Sequence, residues 1–507
     1  MTTSVDVLVV GAGPVGLTAG LLLAREGLTV LIAERRGSTS VHPRATGVNV
    51  RSMEIFRGLG LERAIGEVSL SADGVPFLLV GESLVGPVRA TVQSAQYQSA
   101  TPPDWPSPTH AFWCAQDQLD PLLLDAVTAE PRARVRLHTE LLALWDHGDR
   151  VAAELLDTAG GGVDRVEADY LIGADGPRSK VRHLLGIGVT GQEAVTEELS
   201  ILFRADLAPL LDGRRFLLYR VENPRVHGVM RPAGASGRWF LGVAGSTDTS
   251  VEHCVELVRA AVGLPELEVD VLAAGAWQAA AVVADAFRRG RVFLCGDAAH
   301  QHTPGGGFGM NAGIQGAHNL AWKITGVLRG WASSALLDTY QTERQPVARL
   351  TTRLSVEALQ AGGTRSARTL GVVLGTNYDS GAVLPDGTDA PASADPISEY
   401  RPSARPGQRA PHAWIDAAHT TSTLDLFGGA FVLLTGDEST WRSAVAAATG
   451  IPVRLEERAP AAWAGAYGVH REGAVLVRPD GYVAARWSTP PSRPEAALRG
   501  ALHTLTR

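Results

Sequence analysis

The feature that most constrains this chain is a run of glycines between an apolar strand and an apolar helix. Val5–Val10 is apolar apart from Asp6 and leads at once into Gly11, Gly13, Pro14 and Gly16. A short continuous apolar run of this kind suits a strand buried on both faces of a parallel sheet. Pro14 to Gly27 then reads as a helix of small and apolar residues, and Thr29–Ala33 as a second strand that closes on Glu34. In such a β-α-β unit the glycines allow a sharp turn, close backbone approach to a pyrophosphate, and tight packing of helix on strand. Phosphates sit at the helix N-terminus, where free N–H groups and the dipole favour anions. Glu34, twenty-three residues after Gly11, stands where a carboxylate accepts hydrogen bonds from an adenosine ribose. The unit therefore predicts a dinucleotide site built on Gly11, Gly13, Pro14, Gly16 and Glu34.

The same stretch, Val5 to Ala24, is nearly apolar and about long enough to span a bilayer. It lacks a basic leader, carries Asp6 and is broken by glycines and Pro14, so strand, turn and helix explain it better than a membrane span or signal peptide. Lys and Arg number 46 against 53 Asp and Glu, with no run of five like charges, which excludes a nucleic-acid partner. The three cysteines, Cys114, Cys254 and Cys295, are far apart with no Cys-x-x-Cys. That argues against a disulfide framework and a dithiol centre, and a reducing cytoplasm fits. No set of histidines and carboxylates has metal-ligand spacing, so no metal is expected, and there is no Gly-x-Ser-x-Gly elbow.

At about 100–200 residues per domain, 507 residues allow about three domains. Segments 53–65 and 119–127 read as helices, and 135–175 as several short strands. Residues 186–282, with Phe203, Tyr219, Trp239, Phe240 and Trp277, read as a separate sheet whose aromatics could line a flat pocket. Long helices are expected over 310–328 and 336–359. Six prolines between Gly381 and His412 mark a linker, and strands at Phe431–Leu434 and Ala474–Val477 with a helix at Ser443–Thr449 suggest a small α/β appendage.

Two further segments narrow the cofactor. Tyr170–Arg182 is an apolar strand running into Asp175-Gly176 and a helix start with Ser179 and Arg182; Arg291–His300 is another apolar strand, ending in Gly296-Asp297. Together with Gly11–Gly16 these segments resemble, in order, the three signatures of the single-component class A flavoprotein monooxygenases, the family of para-hydroxybenzoate hydroxylase. The resemblance covers roughly residues 1–360. It extends through Tyr400–His412 and Ser422–Gly428 to actinobacterial hydroxylases that tailor aromatic polyketides, which carry a thioredoxin-like C-terminal domain.

The resemblance implies an α/β fold with a Rossmann-like FAD-binding domain (1–70, 100–185 and 283–375) and a β-sheet substrate domain (71–99 and 186–282). A linker (376–412) and a thioredoxin-like domain (413–507) would follow; lacking cysteine, that domain cannot do dithiol chemistry. FAD is the implied cofactor and NADPH or NADH the co-substrate. The implied reaction inserts one oxygen atom from O2 into an aromatic, polycyclic polyketide-type substrate through a C4a-hydroperoxyflavin. Baeyer–Villiger oxidation, epoxidation and non-catalytic flavin or ligand binding remain as alternatives.

Residue by residue, the resemblance adds Arg35, Arg44, Gln116, Leu141, Asp175 and Asp297 as cofactor contacts. Pro304, Gly307, Gly309, Met310 and Asn311 form a loop and helix start around the flavin, with Pro304 and Gly307 next to the reacting edge. Phe203, Tyr219, Trp239 and Trp277 are candidate substrate contacts. No acid or base is assigned, and His300 and His302 are read as packing residues. The protein is expected to be cytoplasmic, a monomer or homodimer, with no membrane partner.

Overall fold

The computed structural model describes residues 3–40, 42–98, 102, 104–211, 213–234, 237–361, 368–457 and 465–507. Its first sheet runs in the order Arg288–Arg289, Val292–Leu294, Val163–Gly173, Thr3–Val10, Val30–Ala33, Ala133–Arg136, with Thr139–Asp146 and Val151–Asp157 extending it. The pairs among Val292–Leu294, Val163–Gly173, Thr3–Val10, Val30–Ala33 and Ala133–Arg136 are all parallel. Parallel strands need crossovers, and Pro14–Arg25 supplies the first. Register places the motifs together: Val10 lies opposite both Gly173 and Ala33, and Gly173 opposite Leu294. The chain leaves these four strands at one level, into Gly11, Asp175, Glu34 and Asp297. Ligands of open parallel sheets bind at this carboxyl edge.

The second sheet has the order His300–Gln301, Asp270–Ala284, Val189–Arg204, Arg238–Ala244, His227–Pro232, Leu218–Glu222, Leu78–Gly81, Val88–Val92. His300–Gln301 thus joins this sheet, although the sequence places it in the first domain. The helix Val251–Val262 covers one face, and Leu199, Ile201, Phe203, Tyr219, Trp239 and Leu241 share a core with its Cys254, Leu257 and Val258. This corrects the expectation for three aromatics. Phe203, Tyr219 and Trp239 lie in that core, at most 5% exposed, and do not line a pocket. Trp277 points to the opposite face, is 41% exposed, and donates its indole N–H to Ser200 Oγ at 2.9 Å.

The C-terminal unit is a four-stranded sheet in the order Val453–Glu457, Phe431–Thr435, Ala474–Val477, Val483–Trp487, flanked by helices Glu438–Ala446 and Pro494–Leu505. Phe431 and Leu433 share a core with Trp322 of the helix Gly309–Leu328, so this unit backs the helix that opens at the Pro304 loop. The proline-rich stretch is no free spacer: Tyr378, Ala404, Arg409 and Ala410 are buried, and Arg409 Nε donates to Glu54 at 2.8 Å.

A buried ion network also ties the units together. Arg478 reaches Glu343 at 2.6 Å and Asp480 at 2.5 Å, and Lys323 reaches Glu343 at 2.7 Å, with all four side chains at most 1% exposed. Removing one member leaves uncompensated charge in a dry interior, which costs about 3–5 kcal/mol. Arg478→Met is therefore expected to lower the unfolding midpoint in urea by that amount of stability. An unchanged midpoint would show that the network holds nothing together.

Candidate active site at the carboxyl edge of the parallel sheet

The three glycines of the first turn do different work. Gly11 has φ +106°, and a Cβ there would lie 2.3 Å from Ala174 O; a Cβ on Gly16 would lie 2.0 Å from Gly11 O. Both positions are fixed by packing of turn, helix and strand. A Cβ on Gly13 would meet no protein atom within 4 Å. Gly13 is the N-cap of Pro14–Arg25, with no side-chain cap and no acid in the first turn, so the helix presents free N–H groups to that open space. Glu34 holds the turn from the next strand, accepting the N–H of Ala12 through Oε2 and of Arg36 through Oε1, each at 2.9 Å. Each oxygen keeps a lone pair for a hydroxyl donor.

The Asp175 segment acts on the protein itself. Asp175 accepts Ser179 Oγ–H at 2.5 Å and Val181 N–H at 3.0 Å, while Ser179 caps the short helix Lys180–Leu184. Arg182 donates to Ala298 O at 2.9 Å and so ties this motif to the Gly296–Asp297 turn. Asp175 thus has a structural role in the turn, beside the cofactor contact expected of it.

Asp297 is open to water, yet protein surrounds it closely enough to push its carboxyl up to about 6, against the opposing pull of Arg44. Its Oδ1 lies 4.0 Å from a Cβ built on Gly309, at the start of the helix after the glycine loop. Gln116 opens the helix Gln116–Thr128, which is joined to the Arg44 loop through Gln116 N–H to Ala45 O at 2.8 Å. Asp120, one turn further, was missed in the sequence. It is 1% exposed, accepts Gln116 Nε2 at 3.2 Å, has one oxygen without a partner, and is pushed up to about 7 by burial. The four-residue spacing from Gln116 is the signal that could have found it. Arg35 is exposed, and Leu141 is 2% exposed within the first core, so the Leu141 side chain packs and offers no cofactor contact.

The glycine loop is pinned from both sides. Thr303 Oγ1 donates to Ser355 O at 2.7 Å, and a Cβ on Gly305 would lie 2.3 Å from that same carbonyl oxygen. Asn311 Nδ2 donates to Gly307 O and Gly47 O at 2.9 Å each, and its Oδ1 accepts Asn49 N–H at 2.9 Å. Gly307 has φ +64°, with no protein atom within 4 Å of a Cβ. The helix Gly309–Leu328 starts here with no side-chain cap and no acid in its first turn, and Met310 packs at the edge of the first core. A second positive helix end therefore opens beside empty space.

His302 bonds Thr351 Oγ1 at 2.9 Å, and burial lowers it to about 3, so it is neutral near pH 7. Tyr97, also missed, brings its hydroxyl within 2.6 Å of a Cβ built on Gly47. Among the described residues no group of three or more His, Cys, Asp or Glu could hold a metal ion, and no helix is long and apolar enough to cross a membrane.

These residues fit a flavin dinucleotide. One free helix end faces open space at Gly13, another does so at Gly307, and an exposed carboxylate able to accept from hydroxyl groups stands at Asp297, near Arg44. The comparisons with known proteins agree. A model of the FAD binding domain matches residues 4–355, and one of the aromatic-ring hydroxylase C-terminal domain matches 403–506. Tetracenomycin B2 monooxygenase-dioxygenase of Streptomyces olivaceus is 39% identical, and aklavinone 12-hydroxylase of Streptomyces purpurascens 36%, each alignment covering 98% of both chains. A ternary complex of aklavinone-11 hydroxylase with FAD and aklavinone superposes with TM-score 0.90 at 34% identity, over 100% of this chain and 99% of that one. The flavin-dependent monooxygenase PieE, in complex with FAD and substrate, gives TM-score 0.89 at 31% identity over 99% and 98%. With the motifs, the two free helix ends and the full-length similarity in agreement, this chain belongs to the FAD-dependent aromatic-ring hydroxylases.

Proposed function

We propose that this enzyme hydroxylates a flat, polycyclic aromatic substrate of polyketide type, with NADPH or NADH as reductant. The observation that carries the reading is the uncapped N-terminus of Gly309–Leu328, opening with Gly307 onto empty space beside the second sheet. FAD, when bound, supplies the chemistry: it accepts a hydride and lets dioxygen deliver one oxygen atom to an aromatic ring. The chain's own residues hold and shield it. The Gly13 turn and the N–H groups of Pro14–Arg25 take the phosphates, Glu34 takes the adenosine ribose, and Asp297, with Arg44 nearby, takes hydroxyls of the cofactor. N–H groups at the start of Gly309–Leu328 face the negative charge of a reduced ring system. Asn311 and Thr303 clamp the loop and so limit entry of water.

The C-terminal unit is read as thioredoxin-like, a buttress without redox chemistry: it brings no cysteine and packs on Trp322. Three free buried cysteines suit the cytoplasm. Incubation with FAD, NADPH, air and a panel of polycyclic phenols, read by mass spectrometry, tests the reading. Hydroxylated product from at least one phenol is expected; NADPH consumption with no product across the panel would contradict it.

A further inference from the structure

The second sheet has two unlike faces. Directly opposed residues share a face. Register therefore puts Arg231, Phe240 and Leu202 in one row, Ser200 with Gly242 and Gly275 in the next, and Glu198 with Trp277 in a third. This is the face away from the helix Val251–Val262. Arg231 turns it toward the cofactor loop: its Nη2 donates to Pro43 O at 2.9 Å, one residue before Arg44.

Arg231 is unusual for a strand arginine. Its guanidinium stacks 3.7 Å over the Phe240 ring, its Nε is buried with no partner, and no carboxylate pairs with it among the described residues. Burial lowers it to about 9. Two rows away, Glu198 is 7% exposed, forms no hydrogen bond or ion pair among the described residues, and is pushed by burial up to about 7. Neither group has an opposite charge beside it among the described residues, and a cation and an acid left without counter-charges in partly desolvated positions are costly to the fold and mark a functional site. Between them, a Cβ on Gly275 would meet nothing within 4 Å. The four steps from Leu202 to Glu198 span about 13 Å along the strand, close to the length of a flat skeleton of several fused rings.

We propose that Arg231 and Glu198 are the two polar ends of the substrate cleft, Arg231 holding an ionised phenolic oxygen of the aromatic substrate and Glu198 hydrogen-bonding an oxygen at its far end. The proposal rests on the hydroxylase reading above. Arg231 is a specificity-determining residue: its stacked, preoriented guanidinium favours the phenolate, the electron-rich form of the ring, and discriminates against a ligand whose phenol is masked. Gly275 leaves open space for a flat ring, bounded by the Phe240 ring over Gly242 and by the Trp277 indole that reaches Ser200.

The test titrates the FAD-loaded enzyme with 1,8-dihydroxyanthraquinone and with its dimethyl ether, following the absorption of bound FAD. The wild type is expected to bind the phenol more tightly than the ether. Arg231→Met should weaken phenol binding about 10- to 100-fold, the range for losing a hydrogen bond to a charged group, and leave ether binding unchanged. Arg231→Lys, which keeps the charge, should recover part of the loss. Glu198→Leu should weaken both ligands alike. Phenol binding by Arg231→Met at wild-type strength would overturn the proposal, as would loss of FAD from that variant, which would assign Arg231 to the cofactor instead. Unchanged binding by Glu198→Leu would overturn the far end. A wild type that binds neither ligand would contradict the hydroxylase reading on which the proposal stands.

Discussion

Gly13→Val should yield a folded, colourless protein. At this position φ is −78° and ψ 179°, ordinary extended backbone for valine, and no protein atom lies within 4 Å of the added Cβ. Nothing in the fold resists the side chain. It enters the space in front of the Pro14–Arg25 N-terminus, where the phosphates need backbone N–H groups within hydrogen-bond reach. Losing two hydrogen bonds to a charged phosphate, at about 1.5–3 kcal/mol each, weakens FAD binding by about a hundredfold or more. Circular dichroism should match the wild type while the absorbance of bound flavin disappears. Gly11 and Gly16 cannot be used this way, because a Cβ there would strike backbone at 2.3 and 2.0 Å and damage the turn itself. A folded, yellow Gly13→Val protein would move the phosphates elsewhere.

Gly307→Val should keep its flavin and lose its product. The substitution leaves the Gly13 turn, Glu34 and Asp297 intact, and its Cβ again meets no protein atom. Valine is strained at φ +64°, by about 1–2 kcal/mol, and its methyl groups project into the space beside the second helix end. Crowding there displaces substrate and cofactor ring from each other and opens the site to water. The wild type needs room at this position, so the expected loss in hydroxylation rate is about a hundredfold, the effect of disabling one preorganised electrostatic contact, or larger because the block is steric. NADPH oxidation should continue and yield hydrogen peroxide in place of hydroxylated product. Measuring NADPH consumed, peroxide formed and product formed in one reaction checks this; unchanged coupling would place the oxygen chemistry away from the loop.

What the sequence made legible depends on how local the signal is. The first turn, the strand ends at Asp175 and Asp297, and the helix after Gly309 each carry glycine, acid and apolar run within a few residues, and parallel pairing then brings them to one edge. The aromatics of the second sheet carry no such signal. Leu199, Ile201 and Phe203 alternate with Glu198, Ser200 and Leu202, and only the packing of Val251–Val262 shows which set is core. Seeking aromatics therefore selected Phe203, Tyr219 and Trp239 on the wrong face. Arg231 escaped notice for the opposite reason, since an arginine in a strand reads as a solvated edge until its neighbours are known. The proline-rich stretch reads as a linker because its partners are remote, as with Arg409 on Glu54, 355 positions away. The bonds from Asp175 to Ser179 and Val181 were not legible either, because an acid that shapes a turn reads the same in sequence as one that faces a ligand.

The central claim is that this enzyme places one atom of dioxygen on an aromatic ring. The most direct measurement supplies 18O2 with NADPH and a polycyclic phenol that the enzyme turns over, then reads the product by mass spectrometry. One 18O atom bound to a ring carbon is the result the site predicts, with none incorporated when the label is carried by water. A product whose new oxygen comes from water, or 18O appearing only in hydrogen peroxide, would contradict it.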